Sequence, residues 1–268
     1  MPLQIITIYC LCADFLFAQG QKDDPKAQMT QAEVMTSALV AACFFHGNQQ
    51  QACQFLKEHG YIPKMLSRSR FNRCLHRIPE SVWHSFFASL TPREEGNKTY
   101  LMDSCPIAVC DNLRISRCRL YQQEVYRGYC ASKRRYFYGV KLHLIVTSDG
   151  RPAGMALSSG SKGDNTLLNW LGSSLPPGST LYADKGYTDY GREDALAGQG
   201  VSLIALRREN SKRPHTEEVS AVCKKARKRI ESVFSTLHQR MSRCIHAVTA
   251  KGFELKIILN VLALTICH

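Results

Sequence analysis

The sequence predicts an α/β protein in which a small all-helical domain, residues 1–95, precedes a mixed-sheet domain, residues 96–268. Two changes along the chain indicate this division. Apolar residues recur at helical spacing in the first part, and they alternate in the manner of strands in the second. Between the two parts lies a polar segment, from Thr91 to Lys98, whose Pro92, Gly96 and Asn97 favour turns over regular elements.

Five helices are predicted in the first part. The apolar stretch Ile5–Ala18 has no positively charged leader and is interrupted by Asp14, which favours a buried helix over a signal peptide. Thr30 and Glu33 have the spacing of a capping box, and they begin a helix that ends before Gly47. The other three helices are predicted at Gln49–His59, Ser67–Ile78 and Trp83–Leu90.

Short helices joined by tight turns are typical of helix-turn-helix modules. We therefore predict that residues 1–95 bind DNA, with Arg70 and Arg73 in a basic cluster that contacts phosphates. An ordinary helical bundle with a solvated basic face is the alternative.

Strands and helices alternate in the second part, and a basic segment at Arg114–Arg135 interrupts them as a loop or insertion. Strands are predicted at Thr99–Val109, Tyr136–Thr147, Pro152–Ser159, Ser179–Ala183 and Val201–Leu206, and helices at Asp164–Leu171, Tyr190–Ala197, Glu217–Met241 and Phe253–Ile266. This alternation predicts a mixed sheet with helices on its faces. The order of the elements is that of the RNase H-like fold.

The charge of the chain indicates a polyanionic partner. Lys and Arg number 35 against 22 Asp and Glu, which gives a net charge of +13 and favours nucleic acid or an anionic membrane surface. No apolar run approaches the roughly 20 residues that span a membrane, so no membrane partner is predicted. The 12 cysteines include no C-x-x-C pair, which favours free thiols in a reducing cytoplasm.

Three carboxylates occupy positions that suit an active site. Asp103 lies in an apolar strand, where a buried carboxylate needs a partner or a metal, unless it lies at the strand edge and faces water. Asp184 follows the strand residue Ala183, a usual active-site position in α/β folds, although a turn or a capping role is the alternative. Glu231 lies beside the apolar stripe of the long helix, and a plain salt bridge with Arg227, one turn earlier, is its alternative.

Each carboxylate is a weak signal by itself, but the three together predict a metal site. An acid on the first strand, one at a later strand end and one on the following long helix can converge at one end of a sheet. Carboxylate oxygens are the ligands that hard divalent cations such as Mg²⁺ prefer. Two such ions about 4 Å apart can activate an attacking oxygen and stabilise a leaving one.

Several stretches identify a family that the chain resembles. They are Tyr138–Leu144, Ser159–Asp164, Leu181–Tyr187, Arg227–Phe234, Ile245–Thr249 and Gly252–Lys256. In these stretches the sequence resembles the DDE transposases of bacterial insertion sequences, and it is most similar to the branch numbered nine-eight-two. The resemblance covers nearly the whole chain.

The resemblance implies a function and a site. Asp103, Asp184 and Glu231 would form the catalytic, metal-binding triad, with Mg²⁺ as the cofactor and Mn²⁺ as a substitute. The implied reaction is cleavage of the element ends, followed by 3′-OH strand transfer into target DNA. The implied partners are double-stranded DNA and a second copy of the chain, as a homodimer on DNA. An RNase H-like nuclease without strand transfer and a decayed, non-catalytic DNA-binding copy are the alternatives.

Basic residues near the triad are candidates for contacts with DNA phosphates. They are Lys185, Arg207, Arg208, Lys212, Arg213, Lys224 and Arg227. A simple solvated basic run is the alternative, whereas a DNA track predicts binding that weakens steeply with salt. His143 is predicted to be a core histidine, and Asp164, after Gly163, is predicted to cap a helix.

Overall fold

A computed structural model of the chain describes residues 1–91, 98–130, 134–242 and 245–268. The chain divides into two compact units. The helical unit comprises Met1–Thr91, Leu237–Ala247 and Lys251–His268, and the sheet unit comprises Pro92–Thr236 and Val248–Ala250. Most of the predicted boundary segment, residues 92–97, lies outside the described residues.

Short helices form the helical unit. They are α1 (Pro2–Ala18), α2 (Gln31–Phe44), α3 (Gln49–Glu58), α4 (Arg68–Arg77), α5 (Glu80–Leu90) and α9 (Ala250–Ile266), the last of which begins in the sheet unit. The predicted capping box is present, because the Thr30 hydroxyl accepts from the Glu33 amide and the Glu33 carboxylate accepts from the Thr30 amide. Gly60 ends α3 with a φ of +73°, a left-handed backbone that favours glycine.

The last helix joins the helical unit, whereas the predicted second domain ran unbroken to residue 268. Eleven residues of α9 are buried, and they lie on every side of the helix. A helix that is apolar all round must be surrounded by other elements. Its composition therefore suits the interior of a helical bundle better than the face of a sheet.

A mixed sheet forms the centre of the sheet unit. Its strands are β1 (Thr99–Ala108), β2 (Arg127–Cys130), β3 (Arg135–Thr147), β4 (Pro152–Ser159), β5 (Thr180–Ala183) and β6 (Ser202–Ala205). The order is β2-β3-β1-β5-β6, and β4 also pairs with β3. Strands β1, β2, β3 and β4 pair antiparallel, whereas β5 is parallel to both β1 and β6. This helical region followed by a mixed sheet is the RNase H-like architecture that the sequence predicts.

Three helices complete the sheet unit, namely α6 (Leu168–Gly172), α7 (Tyr190–Ala197) and α8 (Glu217–Arg240), whose last four residues count with the helical unit. Leu168, Leu171 and Leu196 join the apolar side chains of the sheet in one core cluster. The Cys223 thiol lies 3.6 Å from the carbonyl oxygens of Ala183 and Ile204, so the start of α8 lies against β5 and β6.

Two local predictions are wrong. The segment Arg114–Arg135, predicted as a loop, contains the strand β2 and two short 3₁₀ turns, and β2 is too short to show a clear alternation. Asp164 does not cap a helix, since Gly163 holds the capping position and the Asp164 carboxylate accepts hydrogen bonds from other parts of the chain. His143 is a core histidine, as predicted, and it is fully buried.

Among the residues that the structure describes, no helix combines the length and the apolar character that crossing a bilayer requires.

Candidate active site

Asp103 lies in the middle of β1, between β3 and β5, where its carboxyl group is largely removed from water. Burial raises the pKa of Asp103 to about 6. The Ser104 amide, which donates to its Oδ1 at 2.8 Å, and the positive charge of Arg227 act in the opposite direction. The negative charges of Asp184 and Asp164 add to the rise.

The register of two parallel strands brings Asp184 beside Asp103. Met102 of β1 pairs with Ala183 of β5, and Asp103 and Asp184 are the residues that follow this pair. Asp184 also caps the short 3₁₀ turn Lys185–Tyr187, because its Oδ1 accepts from the Lys185 amide at 2.6 Å. The capping role and a place in the site are therefore compatible.

Glu231 is linked to Asp184 through Arg227. On α8, Arg227 Nη2 lies 3.3 Å from Glu231 Oε1, and its Nη1 lies 3.1 Å from Asp184 Oδ1. The salt bridge that was the alternative reading of Glu231 is therefore present, and it ties Glu231 to Asp184. The Glu231 side chain is 58% exposed and that of Asp184 is 27% exposed, so both can be reached from solvent.

Polar residues of β1 and β3 hold Asp164, whose negative charge acts on Asp103. The Ser104 hydroxyl donates to Asp164 Oδ1 at 2.7 Å, and Lys141 Nζ donates to the same oxygen at 3.0 Å. Lys141 Nζ also donates to the Lys162 carbonyl oxygen at 2.8 Å. Sequence reasoning did not assign these residues to the site, although Lys141 and Asp164 lie in two of the stretches that carry the family resemblance.

The donor set suits a hard divalent cation. Asp103, Asp184 and Glu231 offer carboxylate oxygens, which are the ligands that such cations prefer. In the described ranges, no three acidic, histidine or cysteine side chains stand close enough to hold a metal. The Arg227 guanidinium instead takes one oxygen of Asp184 and one of Glu231. The residues therefore fit a cation in their chemistry, and Arg227 balances their charge here.

The predicted DNA-contacting residues differ in their availability. Those with exposed side chains are Lys185, Arg208, Lys212, Arg213 and Lys224 in the sheet unit, and Arg70 and Arg73 in the helical unit. The Arg213 guanidinium pairs with Asp194 at 2.7 Å and 3.0 Å on the surface. Arg227 is half-buried within the candidate site.

Arg207 is placed differently from this exposed set. Its side chain is 8% exposed, and its guanidinium forms two hydrogen bonds with the Glu193 carboxylate, at 2.5 Å and 2.7 Å. The guanidinium also lies 5.3 Å from the centre of the Tyr190 ring. Because these partners occupy it inside the fold, we leave Arg207 out of the DNA-contacting set.

Comparison with known proteins identifies the family. A search of curated proteins found no match. The family described as Transposase DDE domain matches residues 93–249, which is more than half of the chain and includes Asp103, Asp184, Arg227 and Glu231. The chain therefore belongs to the transposase DDE domain family.

Proposed function

We propose that the protein cleaves the DNA ends of an insertion sequence and joins the resulting 3′-OH to target DNA. Family membership supports a transposase that acts on DNA. The observation that carries the site is the register of β1 and β5, which makes Asp103 and Asp184 neighbours, together with the Arg227 link to Glu231. The motif stretches described above support a place in the branch numbered nine-eight-two.

Asp103, Asp184 and Glu231 are proposed to hold Mg²⁺, for which Mn²⁺ can substitute. Such a cation, when bound, supplies the charge that activates an attacking oxygen and stabilises a leaving one. The protein's own residues set the conditions for this chemistry. The Ser104 amide orients the Asp103 carboxylate, while Lys141 holds Asp164 and limits its repulsion of Asp103.

Arg227 has a double role in this proposal. Its guanidinium holds Asp184 and Glu231 together, and a guanidinium also binds phosphate oxygens through its planar set of donors. Because Arg227 is half-buried beside the acids, a DNA phosphate that enters the site meets it directly. Arg227 would then orient the scissile phosphate.

Double-stranded DNA, as element end and as target, is the proposed partner. Exposed Lys185, Arg208, Lys212 and Lys224 would contact its phosphates in the sheet unit, and Arg213 would join them by leaving Asp194. Residues 1–95, with Arg70 and Arg73, are proposed to bind element ends, and residues 96–268 to contain the catalytic site. A homodimer on DNA would hold two ends at once, and the predicted free thiols favour a cytoplasmic location.

The test uses purified protein, duplex DNA that carries the element end, a target plasmid and Mg²⁺. We expect nicking at the end and joining to the plasmid, and we expect Asp184→Ala to abolish both. Asp111→Ala removes an exposed acid of the same unit outside the site, and it should retain activity. Nicking without joining would instead indicate an RNase H-like nuclease, and binding without nicking a non-catalytic copy; either result contradicts the proposal.

A further inference from the structure

Strands β2 and β3 form a two-stranded ribbon at the edge of the sheet, and one face of this ribbon is aromatic and basic. Tyr129 pairs directly with Tyr136, and Arg127 pairs with Tyr138. Directly paired residues of antiparallel strands lie on the same face, as do residues two apart on one strand. These four side chains therefore share a face, which we call the tyrosine face.

The opposite face of the ribbon packs into the protein. Phe137 is 5% exposed, and Gly128 lies so close to its ring that a Cβ there would be 2.5 Å from it. Gly128 also lies against the backbone of Gly160, where the same Cβ would be 2.3 Å from the carbonyl oxygen. The packed side fixes the orientation of the ribbon, so the tyrosine face is turned to solvent by the fold itself.

The rings of the tyrosine face are exposed, and an arginine side chain lies against one of them. Tyr129 is 52% exposed and Tyr136 is 51% exposed. Their ring centres lie 5.1 Å apart with an interplanar angle of 58°, and the Arg127 guanidinium lies 4.3 Å from the centre of the Tyr136 ring. The two rings and the guanidinium thus form one continuous surface of flat groups.

The chain segment that contains β2 carries an excess of positive charge. In the described part of residues 111–135, six arginines are exposed, namely Arg114, Arg117, Arg119, Arg127, Arg134 and Arg135. The acids of this segment are Asp111 and Glu124, and Glu124 is 3.4 Å from Arg127. The positive charge of this segment therefore favours a polyanionic partner over a neutral or basic one.

From this combination we infer that the tyrosine face binds unpaired DNA, with nucleobases stacked on Tyr129 and Tyr136 and phosphates on the surrounding arginines. Base stacking on exposed aromatic rings within a basic surface is a general mode of single-strand recognition. Duplex DNA offers its base edges in the grooves but not its base faces, so the rings favour unpaired bases. The inference rests on the proposed function only for the source of such a strand, which cleavage and joining at an element end would expose.

The test measures binding of a single-stranded oligonucleotide that contains 2-aminopurine, without divalent metal. We expect its fluorescence to be quenched on binding, because the base stacks on a ring. Tyr136→Thr, which retains a β-branched residue suited to a strand, should weaken binding about fivefold or more, and Tyr129→Thr likewise. Tyr136→Phe and Tyr129→Phe keep the ring and should bind like the wild type.

A salt titration gives a second readout. Arg127→Gln should make the dependence of log K on log salt shallower by about 0.7 for a single strand, since one phosphate contact is lost. Wild-type affinity and quenching in both threonine variants would overturn the inference. Equal losses in the threonine and phenylalanine variants would also overturn it, because the hydroxyl and not the ring would then matter.

The proposed catalysis and the inferred binding can fail separately. Asp184→Ala is expected to abolish cleavage and to leave single-strand binding unchanged, because Asp184 is not part of the tyrosine face. If nicking and joining are absent in the wild type but the ring variants still lose binding, the proposed function fails and the tyrosine face stands. The wild type could instead bind blunt duplex more tightly than the single strand, with no change in Tyr136→Thr. That result would contradict the inference and leave the catalytic proposal intact.

Discussion

Replacing Glu193 by Gln tests whether Arg207 is a structural residue or a DNA contact. The side chains of this pair are 8% and 9% exposed, so their charges balance each other away from water. Removing one partner of a buried ion pair leaves an uncompensated charge and costs about 3–5 kcal/mol. Gln retains one acceptor and the Tyr190 ring remains, so we expect Glu193→Gln to lower the free energy of unfolding by about 3 kcal/mol.

Urea denaturation at low temperature measures this loss. With a slope of about 2 kcal/mol/M, a loss of about 3 kcal/mol lowers the midpoint by about 1.5 M. The double variant Glu193→Gln with Arg207→Met removes both charges and keeps the volume, so it should lose only about 1 kcal/mol. A loss below about 1 kcal/mol for Glu193→Gln alone would show that the pair is not buried as described, and the reasoning would fail.

DNA binding supplies the other half of this test. At temperatures where the variants remain folded, Arg207→Met should leave the salt dependence of duplex binding unchanged. Arg208→Gln, the matched change at the exposed neighbour, should make the slope shallower by about 0.9, as expected for one lost phosphate contact. The opposite ranking of the two variants would restore Arg207 to the DNA-contacting set.

Three further predictions concern other parts of the chain. A Cβ at Gly139 would lie 2.1 Å from a carbonyl oxygen of β1, so Gly139→Ala should lower the urea midpoint, with a loss of about 3 kcal/mol. Burial lowers the pKa of His143 to about 4, below its unfolded value of about 6.5. Between these two values the unfolded state binds the extra proton, so up to about 3 kcal/mol of stability should be lost as the pH falls from 6.5 to 4. Unfolding curves across that pH range should show a smaller loss of stability in His143→Gln. An equal loss would contradict the role given to His143. The neighbouring Cys43 thiol and Arg240 lower the pKa of Cys267. In thiol labelling at pH 7, Cys267→Ser should therefore remove a fast-reacting thiol, and Arg240→Gln should slow its reaction. Unchanged labelling rates in both variants would refute the lowered pKa of Cys267.

Most of the fold could be predicted from local patterns. The capping box at Thr30 and the strands β3 and β4 are set by neighbouring residues, so capping chemistry and periodicity locate them. The strand β2 was missed because four residues, one of them Gly128, carry too little alternation. The placement of α9 was missed for a different reason, since apolar composition shows that a helix is buried but not which unit surrounds it.

The sequence alone suggests the three acids of the candidate site as a hypothesis, but it does not suggest the polar residues around them. Asp103 and Asp184 each interrupt or follow an apolar strand, and such interruptions are visible in the sequence. Asp164 and Lys141 were not assigned, because their ion pair and the hydrogen bond to Ser104 depend on how β3 and the following turn lie against β1. No local pattern fixes that arrangement.

The contrast between Arg207 and Arg227 shows why a count of basic residues overstates a DNA-binding surface. Both arginines lie near the proposed site in sequence, and both pair with carboxylates in the fold. Arg207 meets Glu193 from α7 inside the protein, where the two charges cancel and neither is open to a phosphate. Arg227 meets Asp184 and Glu231 at an accessible edge, among acids whose mutual repulsion a cation could relieve. The charge available to DNA is therefore what remains after internal pairing, and only the tertiary structure determines that remainder.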